Sequence, residues 1–351
     1  ALDLIKGGNW PNAANVSPDA FVSALFQTHL YVGNSSTRTI TNGIDLSNKG
    51  GLVWIKDRDT GDNAHLLYDT ERGAYKAIKS SDDSANQTRV NGLTGFTSSG
   101  FTLGTQGAEN GSSNDKVSWT FRKQPKFFDI VTWTGNGTED RTISHNLGSV
   151  PGMIIVKGYS LTEDWNVYHR GIGNAKYLQL NSTAAAANVD TGAGGANLWM
   201  STDPTSTTFK IDEHARVNAD GESYVAYLFA HNDDDGGFGE PGDQDIIKCG
   251  SVTADGSGNF TESLGFEPQF ILFKAAGQTE GWEIFDGIRN LTAIKFYNTG
   301  IEADSNAAEG TGSKNLQINA DGFASTGGVS GNITYIYMAI RRGGMQTPTA
   351  A

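Results

Sequence analysis

The sequence GGLVWIKDRDTGDNAHLLYDTERG at residues 50–73 joins an apolar run to a cluster of charged side chains. Both ends of this stretch recur later in the chain. The run GGLVWIK (50–56) returns as PGMIIVK (151–157) and PQFILFK (268–274), and HLLYDTERG (65–73) is matched by WNVYHRG (165–171) and WEIFDGIRN (282–290). The lysines that close the runs, Lys56, Lys157 and Lys274, are 101 and 117 residues apart. Such self-similarity predicts three copies of one structural unit.

Each copy opens and closes with patterns typical of β-strands. The first opening segment, LYVGNSSTRTITNGI (30–44), joins two apolar stretches through a Gly/Asn turn, as a β-hairpin does. The closing segments place large apolar residues at alternate positions: VSWTFRK (117–123), VAYLFAH (225–231) and IYMAIRR (336–342). Val117, Trp119 and Phe121 therefore face one side of their strand. Units with many short strands and no helical period fit antiparallel β-sandwiches.

The predicted fold is all-β, with three tandem antiparallel β-sandwich repeats of jelly-roll or lectin-like topology after an N-terminal arm. The predicted segments are an extended arm at 1–28, repeat 1 at 29–125, repeat 2 at 126–232, an acidic Gly-rich linker at 233–245, repeat 3 at 246–343 and a C-terminal tail at 344–351. The short RKQPKFF (122–128) indicates a stiff junction between repeats 1 and 2. The longer acidic linker is expected to flex.

Charge and composition exclude several classes of function. The net charge of −13 and the pI near 4.8 disfavour nucleic-acid binding, which needs clustered Lys and Arg. The single Cys249 excludes a disulfide within the chain and a zinc site built from cysteines. No stretch approaches the roughly 20 apolar residues of a membrane helix, so no membrane insertion is expected.

The sequence offers no catalytic or cofactor motif. It contains no Gly-x-Ser-x-Gly elbow, no Walker loop and no His-Glu-x-x-His pattern. The charged cluster DRDTGDN (57–63) could host acid–base chemistry, but it becomes GYSLTED and AAGQTEG in the other copies, which favours a variable loop after a buried strand. Most tryptophans occupy alternating strand contexts, which favours the core over a sugar-binding platform. We therefore predict no enzymatic activity and no cofactor.

Binding is expected in the loops that differ most among the copies. The candidate binding residues are Asp57, Asp59, Asp62, Asn188, Asp190, Asp304 and Glu309. In the acidic linker, Asp233, Asp234 and Asp235 could offer oxygens to Ca²⁺, but they lack the alternating spacing of an EF-hand loop. A solvated linker is therefore favoured, and no metal site is predicted. Trp10 is the candidate assembly residue, because the arm around it has neither a strand nor a helix period.

The joined motifs resemble a repeated module of bacteriophage virion proteins, of the kind labelled tail fibre or tail protein in phages of marine and cyanobacterial hosts. The residues that carry the resemblance include LYVGNSSTRTITNGIDL (30–46), FFDIVTWTGNGT (127–138), ISHNLGSVPGMIIVK (143–157) and IIKCGSVT (246–253). With the other repeat motifs they cover nearly the whole chain after about residue 28. The third repeat departs most, since it lacks the clear Gly-Asn turn.

The resemblance implies a structural component of the virion, made in the host cytoplasm and without catalytic residues. We expect a tail or adsorption protein that presents its sandwiches to the host surface, with glycans as its ligands. Other virion proteins and further copies of the chain are the expected partners. The alternative is a capsid decoration protein, in which the arm and the apolar sandwich faces clamp neighbouring capsid subunits. A glycan depolymerase is the third and weakest possibility.

Overall fold

The structure is a computed structural model that describes residues 21–190, 196–238, 244–289, 299–311 and 314–343. Trp10 with most of the predicted arm, and the predicted tail at 344–351, lie outside the described residues. Within these ranges the chain consists of short β-strands with two one-turn α-helices and one 3-10 turn. The predicted all-β class is confirmed.

The strands fall into three sets that correspond to the three predicted repeats. Repeat 1 contains the 3-10 turn Val22–Ala24, β1 (Phe26–Val32), β2 (Arg38–Thr41), β3 (Gly51–Asp57), β4 (Leu66–Asp69), β5 (Lys76–Lys79), β6 (Gln87–Thr88), β7 (Leu93–Thr97), β8 (Gly100–Leu103), α1 (Gly107–Asn110) and β9 (Asp115–Arg122). Repeat 2 contains β10 (Phe128–Thr134), β11 (Arg141–Ser144), β12 (Pro151–Gly158), β13 (Asn166–His169), β14 (Lys176–Gln179), β15 (Ala187–Asn188), β16 (Thr208–Ile211), α2 (Ala215–Asn218) and β17 (Ser223–Ala230). Repeat 3 contains β18 (Ile247–Thr253), β19 (Phe260–Ser263), β20 (Pro268–Ala275), β21 (Trp282–Asp286), β22 (Thr299–Glu302), β23 (Gly310–Thr311), β24 (Leu316–Asn319), β25 (Gly322–Ser325) and β26 (Thr334–Arg341).

Each repeat has the same antiparallel large sheet and a smaller second sheet. The large sheets have the orders β1-β9-β3-β4-β5-β6, β10-β17-β12-β13-β14-β15 and β18-β26-β20-β21-β22-β23. The small sheets are β2-β8-β7, β11-β16 and β19-β25-β24. The first strand of each repeat thus pairs with the last, so the closing strand lies in the interior of the sheet. This arrangement explains why the closing segments are so strongly apolar.

Repeat 1 begins earlier than the sequence predicted. Phe26 is fully buried and pairs with Phe121 of β9, although residues up to 28 were expected to form an arm. Leu25 is buried as well. The segment just before β1 therefore belongs to the sandwich.

The central strands of the large sheets are buried on both faces. Every residue of β3 and of β12 is buried. On one face of β3, Val53 and Ile55 pack with the small sheet of repeat 1. On the other face, Leu52 and Trp54 belong to a core that extends into repeats 2 and 3. Strands with two buried faces read as continuous apolar runs, which is why GGLVWIK and its copies were recognisable.

The three sandwiches share one hydrophobic core. Phe121 of repeat 1 contacts Phe229 of repeat 2, with ring centroids 5.6 Å apart, and Phe270 of repeat 3, at 5.9 Å. Phe26 lies 5.2 Å from the ring of Phe270. Edge-on aromatic pairs of this kind stabilise a core beyond the apolar area they bury. The sequence patterns did not predict this contact between repeats.

Three equivalent backbone hydrogen bonds show that the repeats form a closed cycle. The N–H of Asn86 in repeat 1 donates to the carbonyl of Tyr159 in repeat 2, at 2.8 Å. The N–H of Ala186 in repeat 2 donates to Ala276 in repeat 3, at 2.9 Å. An equivalent hydrogen bond joins repeat 3 back to repeat 1. There the N–H of Glu309 donates to the carbonyl of Arg58, at 2.8 Å.

The repeated lysines lie at the same three junctions. Lys56, Lys157 and Lys274 are fully buried, and each donates hydrogen bonds to backbone carbonyls of its own loop and of a neighbouring repeat. The carbonyls across the junctions are Asn306 for Lys56, at 3.0 Å, Asp83 for Lys157, at 3.1 Å, and Thr183 for Lys274, at 3.0 Å. Burial lowers the pKa of each lysine to about 8. The sequence showed these lysines at the end of each repeated apolar run, and the structure places them at the junctions between repeats.

A second set of contacts runs from the end of the fourth strand of each large sheet to the closing strand of another repeat. The hydroxyl of Tyr227 in repeat 2 donates to Asp69 of repeat 1, at 2.7 Å. His169 of repeat 2 donates through Nε2 to the carbonyl of Tyr337 in repeat 3, at 3.0 Å, while its Nδ1 accepts from the N–H of Gly171. The indole of Trp119 in repeat 1 completes the cycle by donating to Asp286 in repeat 3.

The described ends of the acidic linker are fixed to the repeats on either side. The buried side chain of Asn232 donates to the carbonyl of Lys126, at 2.9 Å, and accepts from the N–H of Ile246, also at 2.9 Å. Phe238 is 3% exposed. Both described ends of the linker are therefore held by hydrogen bonds, and its expected flexibility stays a prediction.

Candidate functional site

A pocket in repeat 3 is the candidate functional site. Its volume is about 360 Å³. The lining residues are Glu280, Gly281, Glu283, Glu302, Lys314, Gly327, Gly328, Val329 and Ser330. We call it the repeat 3 pocket. Its size lies at the lower end of the range of small-ligand sites in proteins, and its walls carry several charged groups, as such sites need for specificity.

The repeat 3 pocket forms where the other two repeats place a short helix. Eleven residues separate β8 from β9 and β16 from β17, but only eight separate β25 from β26. In repeats 1 and 2 the longer connection forms α1 and α2, which pack on β3 and β12. The shorter connection in repeat 3 runs through residues 326–333 and contains no helix. The missing helical turn leaves space between this connection and the large sheet.

In the other repeats the helices fill this space with buried side chains. Glu109 of α1 is fully buried and accepts hydrogen bonds from Tyr68 and from Arg89, whose Nη2 lies 2.9 Å away. Val217 of α2 is also fully buried. Helix side chains therefore fill this space in repeats 1 and 2, whereas in repeat 3 it forms the pocket.

Lys314 forms ion pairs with two of the carboxylates that line the repeat 3 pocket. Its Nζ lies 3.0 Å from Glu280 Oε2 and 3.5 Å from Glu283 Oε1. Burial disfavours the charged form of Lys314, but Glu283 and Glu280 hold its pKa above the usual value. Burial would likewise raise the pKa of Glu280, yet Lys314 keeps it below its usual range. For Glu283 burial prevails, and its pKa is raised despite Lys314.

Glu302 contributes a carboxylate of a different kind. Within the described residues, its side chain makes no hydrogen bond or ion pair. Glu302 is an exposed residue, and partial desolvation, followed by the charge of Asp304, raises its pKa. Its carboxylate lies against Gly281, where an added Cβ would be 2.7 Å from Glu302 Cδ and 2.8 Å from Oε1. The glycine therefore makes room for this carboxylate.

The pairing of Glu283 with Glu302 is specific to repeat 3. These two residues lie opposite each other on β21 and β22. The equivalent pairs are Leu66 with Lys79 in repeat 1 and Asn166 with Gln179 in repeat 2. Like charges directly opposite each other on neighbouring strands destabilise a sheet. A pair that costs stability and lines a pocket is a candidate for a functional role.

The predicted binding residues of repeat 1 fall into two groups. Asp57 is fully buried, and its Oδ2 lies 2.5 Å from the Nζ of buried Lys116. Burial raises the pKa of Asp57, but hydrogen bonds from Lys116 and Asn114 lower it to about 2. Its predicted place in an exposed binding loop is wrong, because the carboxylate is enclosed by its own repeat. Asp59 and Asp62 are exposed, as expected of loop residues.

The predicted binding residues of repeats 2 and 3 lie in different surroundings. Asn188 and Asp190 are exposed at the outer end of the large sheet of repeat 2. Asp304 lies beside the repeat 3 pocket and accepts a hydrogen bond from the N–H of Trp282, at 2.7 Å. Glu309 lies between Arg58 of repeat 1, at 2.5 Å, and Arg289 of repeat 3, at 2.9 Å. Glu309 is therefore part of the junction that closes the cycle.

The acidic linker places its three aspartates at the surface. Asp233, Asp234 and Asp235 are exposed, and the N–H of Asp234 donates to Asp245 Oδ2, at 3.0 Å. In the described ranges, no group of three or more His, Cys, Asp or Glu side chains is arranged to hold a metal ion. In the same ranges, no helix is long and apolar enough to cross a membrane.

The sequence analysis missed the main residues of the pocket, namely Glu280, Glu283, Glu302 and Lys314. A signal was nevertheless present in the spacing of the repeats. Phe101 and Phe209 precede the first apolar residue of the closing strand by 16 positions, whereas Phe323 precedes Ile336 by 13. This shortening marks the lost helix.

Comparison with known proteins assigns the chain to a family without assigning a function. None of the curated proteins compared with the chain matches it, and no solved structure matches it either. The chain does match the family described as a domain of unknown function, DUF7483, over residues 22–342. This match spans all three repeats and begins at the 3-10 turn before β1. The protein therefore belongs to the DUF7483 family.

Proposed function

We propose that the chain is a non-enzymatic structural protein of a bacteriophage particle, located in the tail or adsorption apparatus, that binds glycans of the host surface. The observation that carries the proposal is the closed cycle of three sandwiches around one shared core. Such a body keeps its shape under load, because no repeat can move without breaking contacts with both of the others. Rigid frames with exposed loops are a common way to present a binding surface.

The sequence motifs support the virion part of the proposal, because they resemble a repeated module of phage tail proteins. The repeat 3 pocket and the exposed Asp59, Asp62, Asn188 and Asp190 are the parts of the surface that we assign to glycan binding. Weak sites of this kind reach useful avidity when many copies act on one particle. Further copies of the chain and other virion proteins are the proposed partners.

The non-enzymatic part rests on how the buried ionisable groups are used. Lys116, Arg72 and Arg289 are each paired with a carboxylate inside the fold. In the repeat 3 pocket, Lys314 forms ion pairs with two of the three carboxylates, those of Glu280 and Glu283. In our proposal the ion pairs inside the fold stabilise the structure, and the charged groups of the pocket bind a ligand without catalysing a reaction.

Labelled electron microscopy tests the proposal. Gold-labelled antibodies raised against the purified chain are bound to intact particles, and mass spectrometry measures the chain in the same preparation. We expect label on the tail. Label on the head would instead identify a capsid decoration protein. Absence of the chain from purified particles would overturn both assignments.

A further inference from the structure

We infer that the repeat 3 pocket binds a sugar that carries a free primary amine, and that the ammonium group pairs with Glu302. This inference rests on the proposed glycan-binding function and names the class of glycan. It is drawn from three features of the pocket: its shape, its charge and one buried acceptor, Glu280 Oε2.

The shape requires a ligand larger than a simple ion. The pocket of about 360 Å³ opens where a helical turn is missing, and a single sugar ring suits a space of that order. Gly327 and Gly328 form part of its wall, so the ligand meets main chain there rather than bulky side chains.

The excess of carboxylates in the pocket favours a ligand with a cationic group. Glu280, Glu283 and Glu302 line the pocket, and Asp304 adjoins it, whereas Lys314 is the cation among the lining residues. Lys274 lies behind Glu280 and donates to its carbonyl, at 2.6 Å. Lys314 pairs with Glu280 and Glu283, which leaves the Glu302 carboxylate without an ion pair in the described residues. An ammonium at Glu302 would supply the missing partner, and charge-assisted hydrogen bonds of this type are strong.

One buried acceptor of the pocket, Glu280 Oε2, is available to a hydroxyl donor in addition to its ion pair with Lys314. Glu280 Oε2 is buried and 3.0 Å from Lys314 Nζ, yet it receives no hydrogen bond of acceptable geometry within the described residues. Buried polar atoms are normally hydrogen-bonded, so a ligand hydroxyl is expected there. The hydroxyl of Ser330 donates to the other oxygen of Glu280, at 2.9 Å, which fixes the carboxylate in place.

A bound metal ion fits the pocket less well than an amine. The ammonium of Lys314 already occupies the position between Glu280 and Glu283 that a cation would take. Among the described residues, no trio of potential ligands has a geometry suited to a metal. An organic ammonium needs only one free carboxylate, and Glu302 provides it.

Titration calorimetry at pH 6.5 with D-glucosamine, N-acetyl-D-glucosamine, D-glucose and ethanolamine tests the inference on the full chain. We expect glucosamine to bind at least about tenfold more tightly than the other three, because it alone combines an ammonium for Glu302 with a sugar ring for the pocket, and a charge-assisted hydrogen bond contributes about this much. Equal binding of N-acetylglucosamine or glucose would overturn the role of the ammonium. Equal binding of ethanolamine would overturn the assignment to a sugar, and no binding of glucosamine would overturn the inference as a whole.

Two variants locate the site. Glu302→Gln removes the charge, and Gly281→Ala displaces the Glu302 carboxylate by steric contact. Each should weaken glucosamine binding about tenfold, the effect of losing one charge-assisted hydrogen bond. Glu139→Gln is the matched control, because it removes one exposed negative charge in repeat 2, away from the residues that we assign to glycan binding. Unchanged binding in Glu302→Gln, or equal loss in Glu139→Gln, would overturn the assignment. Tail labelling is independent of these results, so the proposed function can survive the failure of this inference.

Discussion

Trp119 of repeat 1 donates its indole N–H to the carboxylate of Asp286 in repeat 3, with Nε1 3.0 Å from Oδ2, although 167 residues separate them along the chain. The guanidinium of Arg289, paired with the same carboxylate at 2.6 Å, lies over the Trp119 ring at 5.3 Å. This contact joins the first closing strand to the last repeat. It completes a cycle that the order of the repeats along the chain would leave open.

Loss of a junction carboxylate should destabilise the whole chain. Asp69→Ala leaves the fully buried Arg72 without its carboxylate partner and removes the acceptor of Tyr227, so we expect a loss of about 3–5 kcal/mol in the free energy of unfolding. Asp286→Ala should cost less, because Arg289 keeps Glu309 at 2.9 Å. Denaturant unfolding of both variants checks this order. A smaller loss for Asp69→Ala than for Asp286→Ala would contradict it.

A cavity in the shared core should affect all three repeats at once. Phe229→Ala removes a ring that contacts Phe121 and Phe128, and large-to-small changes of this kind cost about 3–5 kcal/mol. The unfolding transition should shift as one step when followed by tryptophan fluorescence and by circular dichroism. Val90→Ala, at a position that is 64% exposed, is the control and should change stability by less than about 0.5 kcal/mol. Loss of structure confined to repeat 2 would argue against a shared core.

Stability should fall as the pH is lowered from 6.5 towards 4. Burial lowers the pKa of His169 and of His231 to about 4. In that interval the unfolded chain binds protons that the folded chain excludes, so acid favours unfolding. Protonation of His169 at Nδ1 would also break its hydrogen bond from Gly171. Unfolding measured at pH 6.5, 5.5 and 4.5 should show a steeper decline for the wild type than for His169→Gln; parallel declines would exclude His169 as a cause.

The like-charged pair of Glu283 and Glu302 should lower the free energy of unfolding. Glu302→Gln removes a like-charge contact with Glu283 on the neighbouring strand, so we expect a gain of about 0.2–1 kcal/mol in the free energy of unfolding. Glu139→Gln, in the exposed turn before β11, is the control for the change in net charge. The gain should shrink at high salt, which screens charges. A loss of stability in Glu302→Gln would show that the carboxylate has a structural role that we did not identify.

The strands and their repeat were predictable from sequence, because each large sheet imposes the same burial on three copies. Val117, Trp119 and Phe121 face one side of β9, as the alternation predicted, and all three belong to the shared core. What covers that side could not be predicted. Alternation distinguishes buried from polar positions, but it does not say whether the partner is the sheet of the same repeat or of another.

The candidate site was less predictable for a related reason. Charged residues after an apolar run were expected to be exposed, yet Asp57 is enclosed with Lys116, and Lys56 satisfies three carbonyls inside a junction. Sequence gives the charge of a side chain but not the partner that allows its burial. The repeat 3 pocket depends on residues missing from a connection, and only comparison of the three copies reveals them.

The closed cycle is tested most directly by cross-linking repeat 1 to repeat 3. Ser81 and Asn306 lie on opposite sides of the last junction, with Ser81 Oγ 2.6 Å from Asn306 Oδ1. The native Cys249 is buried, which raises the pKa of its thiol and keeps it unreactive. In the double variant Ser81→Cys, Asn306→Cys, a short bis-maleimide should join the two sites within one chain almost completely under native conditions and much less in denaturant. Equal yields in both conditions, or links only between chains, would contradict the closed cycle.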